Sequence, residues 1–246
     1  MGKSITNFDL GDLVIENNDV DQCFAKEIEE ELNIPITVED LNGVNLLNIE
    51  QKRAYDTIYN RVMQRKYGSF FLGGPGGTGK TFLYSTILAN LRAKGVIALV
   101  VASSGIAASN IAGGKIANSH FKIPLDMEEN QSSQISKQSG LGELIRVCRL
   151  IIWDEASMAK RQSIEHFERI LRDICSNNSI FSGKVVVFGG DFRQVLHVIP
   201  KSTLCEAVNA SFVMSPLWTK LEKIHLTTNM RAIHDPVFSD TVLCYS

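Results

Sequence analysis

Apolar positions are sparse over the first 45 residues, where Asn, Asp and Glu are frequent until Ile34-Pro35-Ile36, so residues 1–45 read as an acidic leader. A helix from about Asp21 to Leu32 is expected within it, with Glu27, Glu29, Glu30 and Glu31 on its exposed side. The pattern sharpens at Asn48, which can cap a helix while Gln51, three residues on, takes the capping-box position. Ala54, Ile58 and Val62 recur at i, i+4 and i+8 and predict one buried stripe on that helix. Ser69–Leu72 is a short apolar run ending in a glycine-rich turn, after which Phe82, Ile87 and Leu91 carry a helical period to Lys94-Gly95, a natural stop. Val96–Ala102 is apolar without alternation, the pattern of a strand buried on both faces. Ser103–Ala112 reads as a turn leading into a small-residue helix, and residues 126–142, polar and rich in Ser and Gln, as a surface insertion. Leu150–Trp153 predicts another buried strand, running straight into Asp154-Glu155. Ile164, Phe167, Ile170, Leu171 and Ile174 mark an amphipathic helix, and Lys184–Phe188 a strand ending in Gly189-Gly190-Asp191. Ile224–Leu226 is one more short strand-like piece. Strands alternating with helices, with polar punctuation at the strand C-termini, predict an α/β fold on a doubly wound parallel sheet.

Composition narrows the class without changing that picture. The 246 residues are 44% hydrophobic and 21% charged, ordinary globular values that exclude collagen, bulk disorder and a coiled coil. The longest apolar run, seven residues, is too short to span a bilayer, and the start lacks the apolar core of a secretory signal. Five scattered cysteines with no C-x-x-C fit reduced thiols better than disulfides or a zinc site. An intracellular protein with no membrane partner is expected. Charge is divided unevenly: residues 1–45 hold eleven acidic and two basic residues, whereas residues 46–246 hold sixteen and twenty-three, a net of +7. A basic body suits a polyanionic partner, with a solvated basic surface as the even alternative.

Chemistry concentrates at strand ends. Gly74-Pro75-Gly76-Gly77-Thr78-Gly79-Lys80-Thr81 matches G-x-x-x-x-G-K-[ST] in full, after a strand and opening a helix. Backbone N–H groups from Gly76 to Lys80 can ring a β-phosphate, Lys80 can contact the β- and γ-phosphates, and the Thr81 hydroxyl can ligate Mg²⁺. Asp154 ends an apolar strand expected to lie beside the loop's own strand, where its carboxylate can hold the Mg²⁺ shell. Glu155 can deprotonate a water for attack on the γ-phosphorus, which points to hydrolysis rather than transfer to a hydroxyl. Gln194, in Gly190-Asp191-Phe192-Arg193-Gln194, can touch the γ-phosphate, although by itself this is a common turn. Spacing assigns Arg231 nothing beyond a surface charge. The five histidines show no metal-ligand spacing, and Trp153, inside an apolar strand, is expected in the core rather than against a base.

In this order the motifs resemble superfamily 1 helicases, specifically the petite-integration-frequency (Pif) family of ATP-dependent 5′-to-3′ DNA helicases in its plant and transposon-related branch. LNIEQKRAYDTI is similar to its Q motif, GGPGGTGKT to motif I, ASSGIAA to motif Ia, LIIWDEASM to motif II, FGGDFRQVLHVIP to motif III and LTTNMRA to motif IV. GGKIANSHFKIP is similar to the segment after motif Ia, and the match covers about residues 46–240. The resemblance implies a RecA-like P-loop domain over 46–226, with 227–246 a truncated start of a second motor domain. It implies that Gln51 reads adenine, that Arg231 reaches the γ-phosphate and that Gln194 couples nucleotide state to DNA. It places Ser103, Ser104, His120 and Phe121 on segments lining a single-strand track, with ATP and Mg²⁺ as cofactors and single-stranded or forked DNA as partner. DNA repair, recombination and telomere maintenance, and the nucleus ahead of the mitochondrion, follow from the same resemblance. Lys115, Ile116, Asn118 and His197 depart from the usual residues of the DNA-facing segments. A chain stopping at Ser246 is expected to be unable to unwind alone. The rival readings are a nucleotide-binding fragment without turnover and another P-loop NTPase, a GTPase or a kinase; against a GTPase, Asp154-Glu155-Ala156-Ser157 lacks the D-x-x-G of a switch, and the sequence holds no N-K-x-D.

Overall fold

The computed structural model describes residues 19–124, 134–191 and 208–231, with side chains from Lys26 onward. Six strands are all parallel: β1 (Gly68–Gly73), β2 (Ala98–Ala102), β3 (Lys115–Ile116), β4 (Leu150–Asp154), β5 (Val185–Gly190) and β6 (Glu222–His225). They lie in the order β3-β2-β4-β5-β1-β6. Alternate residues of each strand feed opposite cores, which is why the strands read as unbroken apolar runs. Phe70, Leu72, Val100, Ile152 and Val187 face α3 (Ile49–Met63) and α4 (Lys80–Arg92). Phe71, Val101, Trp153, Val186 and Phe188 face α7 (Gly140–Val147) and α8 (Arg161–Cys175). The doubly wound parallel sheet is therefore as expected.

The local signals hold where they were strongest. Asn48 and Gln51 form a reciprocal capping box, and Ala54, Ile58 and Val62 are buried. Gly95 takes φ +73°, and the N–H of Val96 returns to the Leu91 carbonyl at 3.1 Å, the left-handed stop that a side chain would strain. All five apolar residues predicted on α8 are buried. The chain also makes α2 (Val38–Asn42), α5 (Gly105–Ser109) and α6 (Ala117–His120). No helix among the described residues is long and apolar enough to cross a membrane.

Three expectations are corrected. The strand carrying Asp154 does not neighbour the strand of the glycine-rich loop, because β5 lies between β4 and β1. The polar stretch 126–142 is not surface insertion to its end: Ile135 is in the core, and Ser139 caps α7 by accepting from the Gly142 N–H at 3.1 Å. Leu144 and Ile145 supply that helix's buried face, a period too short to stand out beside a Ser/Gln-rich run. Finally, Glu31 does not share the exposed face of α1 (Asp19–Leu32) with Glu29 and Glu30.

Glu31 is 4% exposed; one oxygen accepts from Lys115 Nζ at 3.1 Å and the other stands 3.7 Å from Arg92. Arg92 also donates to the Ala112 carbonyl at 2.8 Å, and its pKa is lowered by burial and raised back by Glu31. This ion pair ties the acidic N-terminal helix to the end of α4 and to β3. Removing one member of a buried pair strands the other charge, and the partial exposure of Lys115 tempers the loss. Glu31→Ala is expected to cost about 2 kcal/mol, a fall of roughly 4–8 °C in the thermal midpoint for a chain of this size, read by calorimetry.

Candidate active site

The C-terminal ends of β1, β2, β4, β5 and β6 gather at one edge of the sheet, where open α/β sheets take ligands. There Gly74 to Gly79 turn from β1 into α4. Gly77 and Gly79 adopt φ +89° and +77°, and a Cβ on Gly74 would stand 2.7 Å from the Leu226 carbonyl oxygen and 2.9 Å from Thr78 Oγ1. The loop has room for backbone only. Thr78 is buried and donates through Oγ1 to the Pro75 carbonyl at 2.9 Å. Lys80 Nζ donates to the Gly74 and Pro75 carbonyls at 2.6 and 3.3 Å, which folds the ammonium over the cradle. Gln51 buttresses the loop from α3: Nε2 donates to the Thr78 carbonyl at 2.9 Å while Oε1 accepts from the Asn48 N–H at 3.0 Å.

Asp154 and Glu155 follow β4. One Asp154 oxygen accepts from the Glu155 N–H at 3.0 Å. Burial raises the Asp154 pKa, opposed by that hydrogen bond and by Lys80, so the loop lysine and the acid share one electrostatic field. Glu155 is half-buried with φ +52°, a left-handed conformation a non-glycine residue holds only under constraint. Its pKa is raised first by burial and then by Asp154, with Lys80 opposing and Asp191 adding. β5 does not wall these acids off, because it ends in glycines. A Cβ on Gly189 would overlap Tyr84 Oη and lie 3.0 Å from Asp154 Oδ1, and one on Gly190 would lie 2.6 Å from Ser157 Oγ. Tyr84 Oη, on α4, is buried with no hydrogen-bond partner among the described residues, and burial with the two acids pushes its pKa well up.

The chain then returns over the loop. The Leu226 N–H donates to the Gly73 carbonyl and the Met230 N–H to the Gly77 carbonyl, both at 2.8 Å. Glu50 anchors this return by accepting from the Thr227 and Thr228 N–H groups at 2.8 and 3.2 Å, and these contacts with the Thr227 hydroxyl lower its pKa. Asn229 Oδ1 faces Gly77 and accepts from the Arg231 N–H at 3.0 Å, so Arg231, exposed, sits at the cradle's rim. Glu50, Asn229, Tyr84 and Gly189 escaped the sequence reading; Glu50 was legible only as a member of the capped helix. Gln194 and His197 lie outside the described residues.

The residues expected along a DNA track divide. Phe121 is fully buried, with ring centroids 4.6 Å from Phe167 and 6.5 Å from Trp153, so its ring packs the core and offers no face to a base. Trp153 is core as expected, and its Nε1 donates to Ser103 Oγ at 3.0 Å. Ser104 caps α5 by accepting from the Ala107 N–H at 3.2 Å. His120 keeps a buried Nε2 with no partner among the described residues, and burial with Lys115 nearby pushes its pKa down to about 4, so it is neutral at physiological pH. Ile106, 81% exposed, and Ile116 lie on these same segments and had no signal beyond being apolar.

A parallel sheet carrying a glycine-ringed lysine loop, with an acid pair at the end of the next strand but one, defines a P-loop NTPase. The PIF1-like helicase family model matches residues 46–241, and the chain belongs to that family. It is 31% identical over 157 residues to the ATP-dependent DNA helicase PIF4 of Trypanosoma brucei brucei, covering 61% of this chain and 18% of that one. It is 34% identical over 140 residues to the ATP-dependent DNA helicase Pif1 of Campylobacter jejuni, covering 54% and 30%. Among solved structures, Pif1 helicase from Candida albicans superposes with a TM-score of 0.66 at 28% identity, covering 80% of this chain and 43% of that one. A Bacteroides Pif1 helicase in complex with ADP-AlF3 and single-stranded DNA gives 0.61 at 26% identity, covering 77% and 44%. The chain thus spans 18% to 30% of the length of those two curated relatives.

Proposed function

We propose that this chain hydrolyses ATP with Mg²⁺ as part of a 5′-to-3′ DNA helicase motor. The observation that carries the reading is the placement of Lys80 and the Asp154-Glu155 pair in one field across the side-chain-free end of β5. The donor set suits a small hard cation. No cluster of three His, Cys, Asp or Glu side chains occurs among the described residues, so Thr81 and Asp154 would supply oxygens and the phosphates the remainder. Bound there, the cation neutralises charge building on the phosphoryl oxygens.

The chain's own residues do the rest. The loop N–H groups and the α4 N-terminus hold the phosphates. Lys80 exchanges its two carbonyl partners for phosphate oxygens, and Glu155, its pKa raised by burial and Asp154, accepts a proton from the attacking water. Arg231, poised at the rim by Asn229, supplies positive charge to the transferring group. Gln51 holds the loop in register while reading the base, and Gln194 reports loss of the γ-phosphate. Single-stranded DNA lies along the Ser103–Ser104 and Asn118–His120 segments, with exposed Ile106 and Ile116 as its apolar contacts in place of Phe121. The relatives are ATP-dependent DNA helicases, which supports this partner, as does the single-stranded DNA in the Bacteroides complex. A place in the nucleus and in repair, recombination or telomere maintenance belongs to the same reading, as does the transposon-related branch.

The test is ATP turnover by the purified chain with and without single-stranded DNA, beside Lys80→Ala. Stimulation by DNA is expected, and a nucleotide affinity about 10–100-fold lower in Lys80→Ala, the loss of one charge-assisted contact set. Nucleotide binding with no turnover under any DNA would leave a binding module and overturn the motor reading.

A further inference from the structure

The end of the sheet opposite the ATP loop carries a second concentration of charge. A cleft of about 290 Å³ opens beneath the first residues of β1, β4 and β5, lined by Arg65 and Lys66 after α3, Arg146 and Arg149 around the α7-to-β4 link, and Lys184 before β5. Five cations line it, and among the described residues the lining contains no carboxylate and no aromatic ring. Arg146 keeps one acidic neighbour, Glu143, on its own helix. Lys184 is fixed at the floor, donating through Nζ to the Arg146 and Cys148 carbonyls at 3.0 and 2.9 Å.

The backbone around the cleft is constrained as well. Arg65 and Ser182, on its two sides, take φ +53° and +54°, and Phe181 next to Ser182 takes +47°. Of these, Arg65 and Ser182 line the cleft; Arg65 is the left-handed residue that ends α3, its N–H returning to the Val62 carbonyl at 3.1 Å, and this turn sets Arg65 and Lys66 on one wall. A polyanion set among these cations would gain contacts while releasing its own counterions.

We propose that this cleft grips the phosphate backbone of duplex DNA, as a contact separate from the single-strand track. The inference rests on the DNA reading above and deepens it. A six-residue strand at ~3.3 Å per residue sets the two ends of the sheet roughly 20 Å apart, so a fork can place its single strand at one end and its duplex arm at the other. The described lining residues offer no aromatic ring on which a base can stack, so the contact reads charge and not sequence.

The test compares wild type with Arg65→Asn/Lys66→Gln, in which Asn suits the left-handed backbone at position 65. Binding of a fluorescent 20-base-pair duplex and of a single-stranded oligonucleotide is measured by anisotropy from about 50 to 200 mM salt. Losing two phosphate contacts is expected to flatten the duplex slope of log K against log salt by about 1.8 and to weaken duplex binding by roughly ten-fold or more. Single-strand affinity and DNA-free ATP turnover stay at wild-type levels. Arg146→Gln, on the opposite wall, is expected to flatten the slope by about 0.9 and serves if the double variant does not fold. An unchanged duplex slope in both variants overturns the inference, as does an equal loss for single strands. If wild type binds no DNA of either kind, the motor reading fails first and this one with it; if wild type binds both and the variants match it, only this one fails.

Discussion

Glu155→Gln is expected to lower ATP turnover by about 10²- to 10⁴-fold, the range for loss of a positioned general base, while nucleotide affinity holds within a few-fold. Gln fills the same volume at φ +52° and removes only the proton-accepting charge. The wild-type pH profile gives an independent reading. Burial and Asp154 raise the Glu155 pKa above 4.5, so the acid limb of turnover begins at higher pH than for a free glutamate. Stability runs the opposite way. A raised carboxyl pKa means the folded state binds protons more readily than the unfolded chain, so its ionisation weakens the fold as pH rises through that elevated value. Glu155→Gln removes this penalty, and the nucleotide-free variant is expected to melt above wild type at pH 7 to 8, with the gap closing toward pH 4.5. Single-turnover assays and thermal melts across pH check both halves. Turnover within two-fold of wild type, or an acid limb left in place in the variant, would remove Glu155 from the base role.

Gly189→Val is the most damaging single change expected outside the glycine-rich loop. Any Cβ there overlaps Tyr84 Oη and stands 3.0 Å from Asp154 Oδ1, and both neighbours are buried, so neither can swing into solvent. Overpacking at such a site costs about 3 kcal/mol and displaces the carboxylate that would hold the cation. The expected result is a thermal midpoint lower by roughly 6–12 °C, with Mg²⁺-dependent ATP affinity reduced about ten-fold or more. Gly189→Ala is milder, and pairing it with Tyr84→Phe removes the overlapping oxygen and an unpartnered buried hydroxyl together. The double variant is expected to recover much of the stability lost by Gly189→Ala. Failure of Tyr84→Phe to rescue, with the melt of the pair equal to the sum of the singles, would show that the close approach to Tyr84 is not the cause.

Much of the chemistry was legible because it is local. A phosphate loop needs its glycines and lysine at fixed offsets, a capping box spans four residues, and a strand buried on both faces shows as an apolar run. These signals placed Gly74–Thr81, Asp154-Glu155, the capped helix at Asn48 and the alternation of strands and helices. The identity of the acid pair followed, although its route to the loop did not. Nothing in the run of residues 184–190 says that this strand inserts between the other two. Its two terminal glycines look like a turn, and only the sheet order shows that they make the space through which Asp154 faces the cradle.

Long-range burial explains the other differences. Glu31 has the composition of an exposed helix face, and what buries it is the arrival of Arg92 and Lys115 from 61 and 84 residues downstream. Phe121 resembles a base-stacking aromatic by motif, yet Trp153 and Phe167 enclose it. The return of residues 226–231 over the glycine-rich loop is anchored by Glu50, 177 residues before Thr227, and by Asn229 against Gly77, 152 residues before it. Sequence alone determined which residues could handle a triphosphate and what local structure carries them, because backbone conformation and turn chemistry are decided within a few residues. The tertiary structure alone decided which charges are buried, which strand stands between the loop and its acids, and which aromatic faces remain free, because those are set by neighbours that only packing brings together.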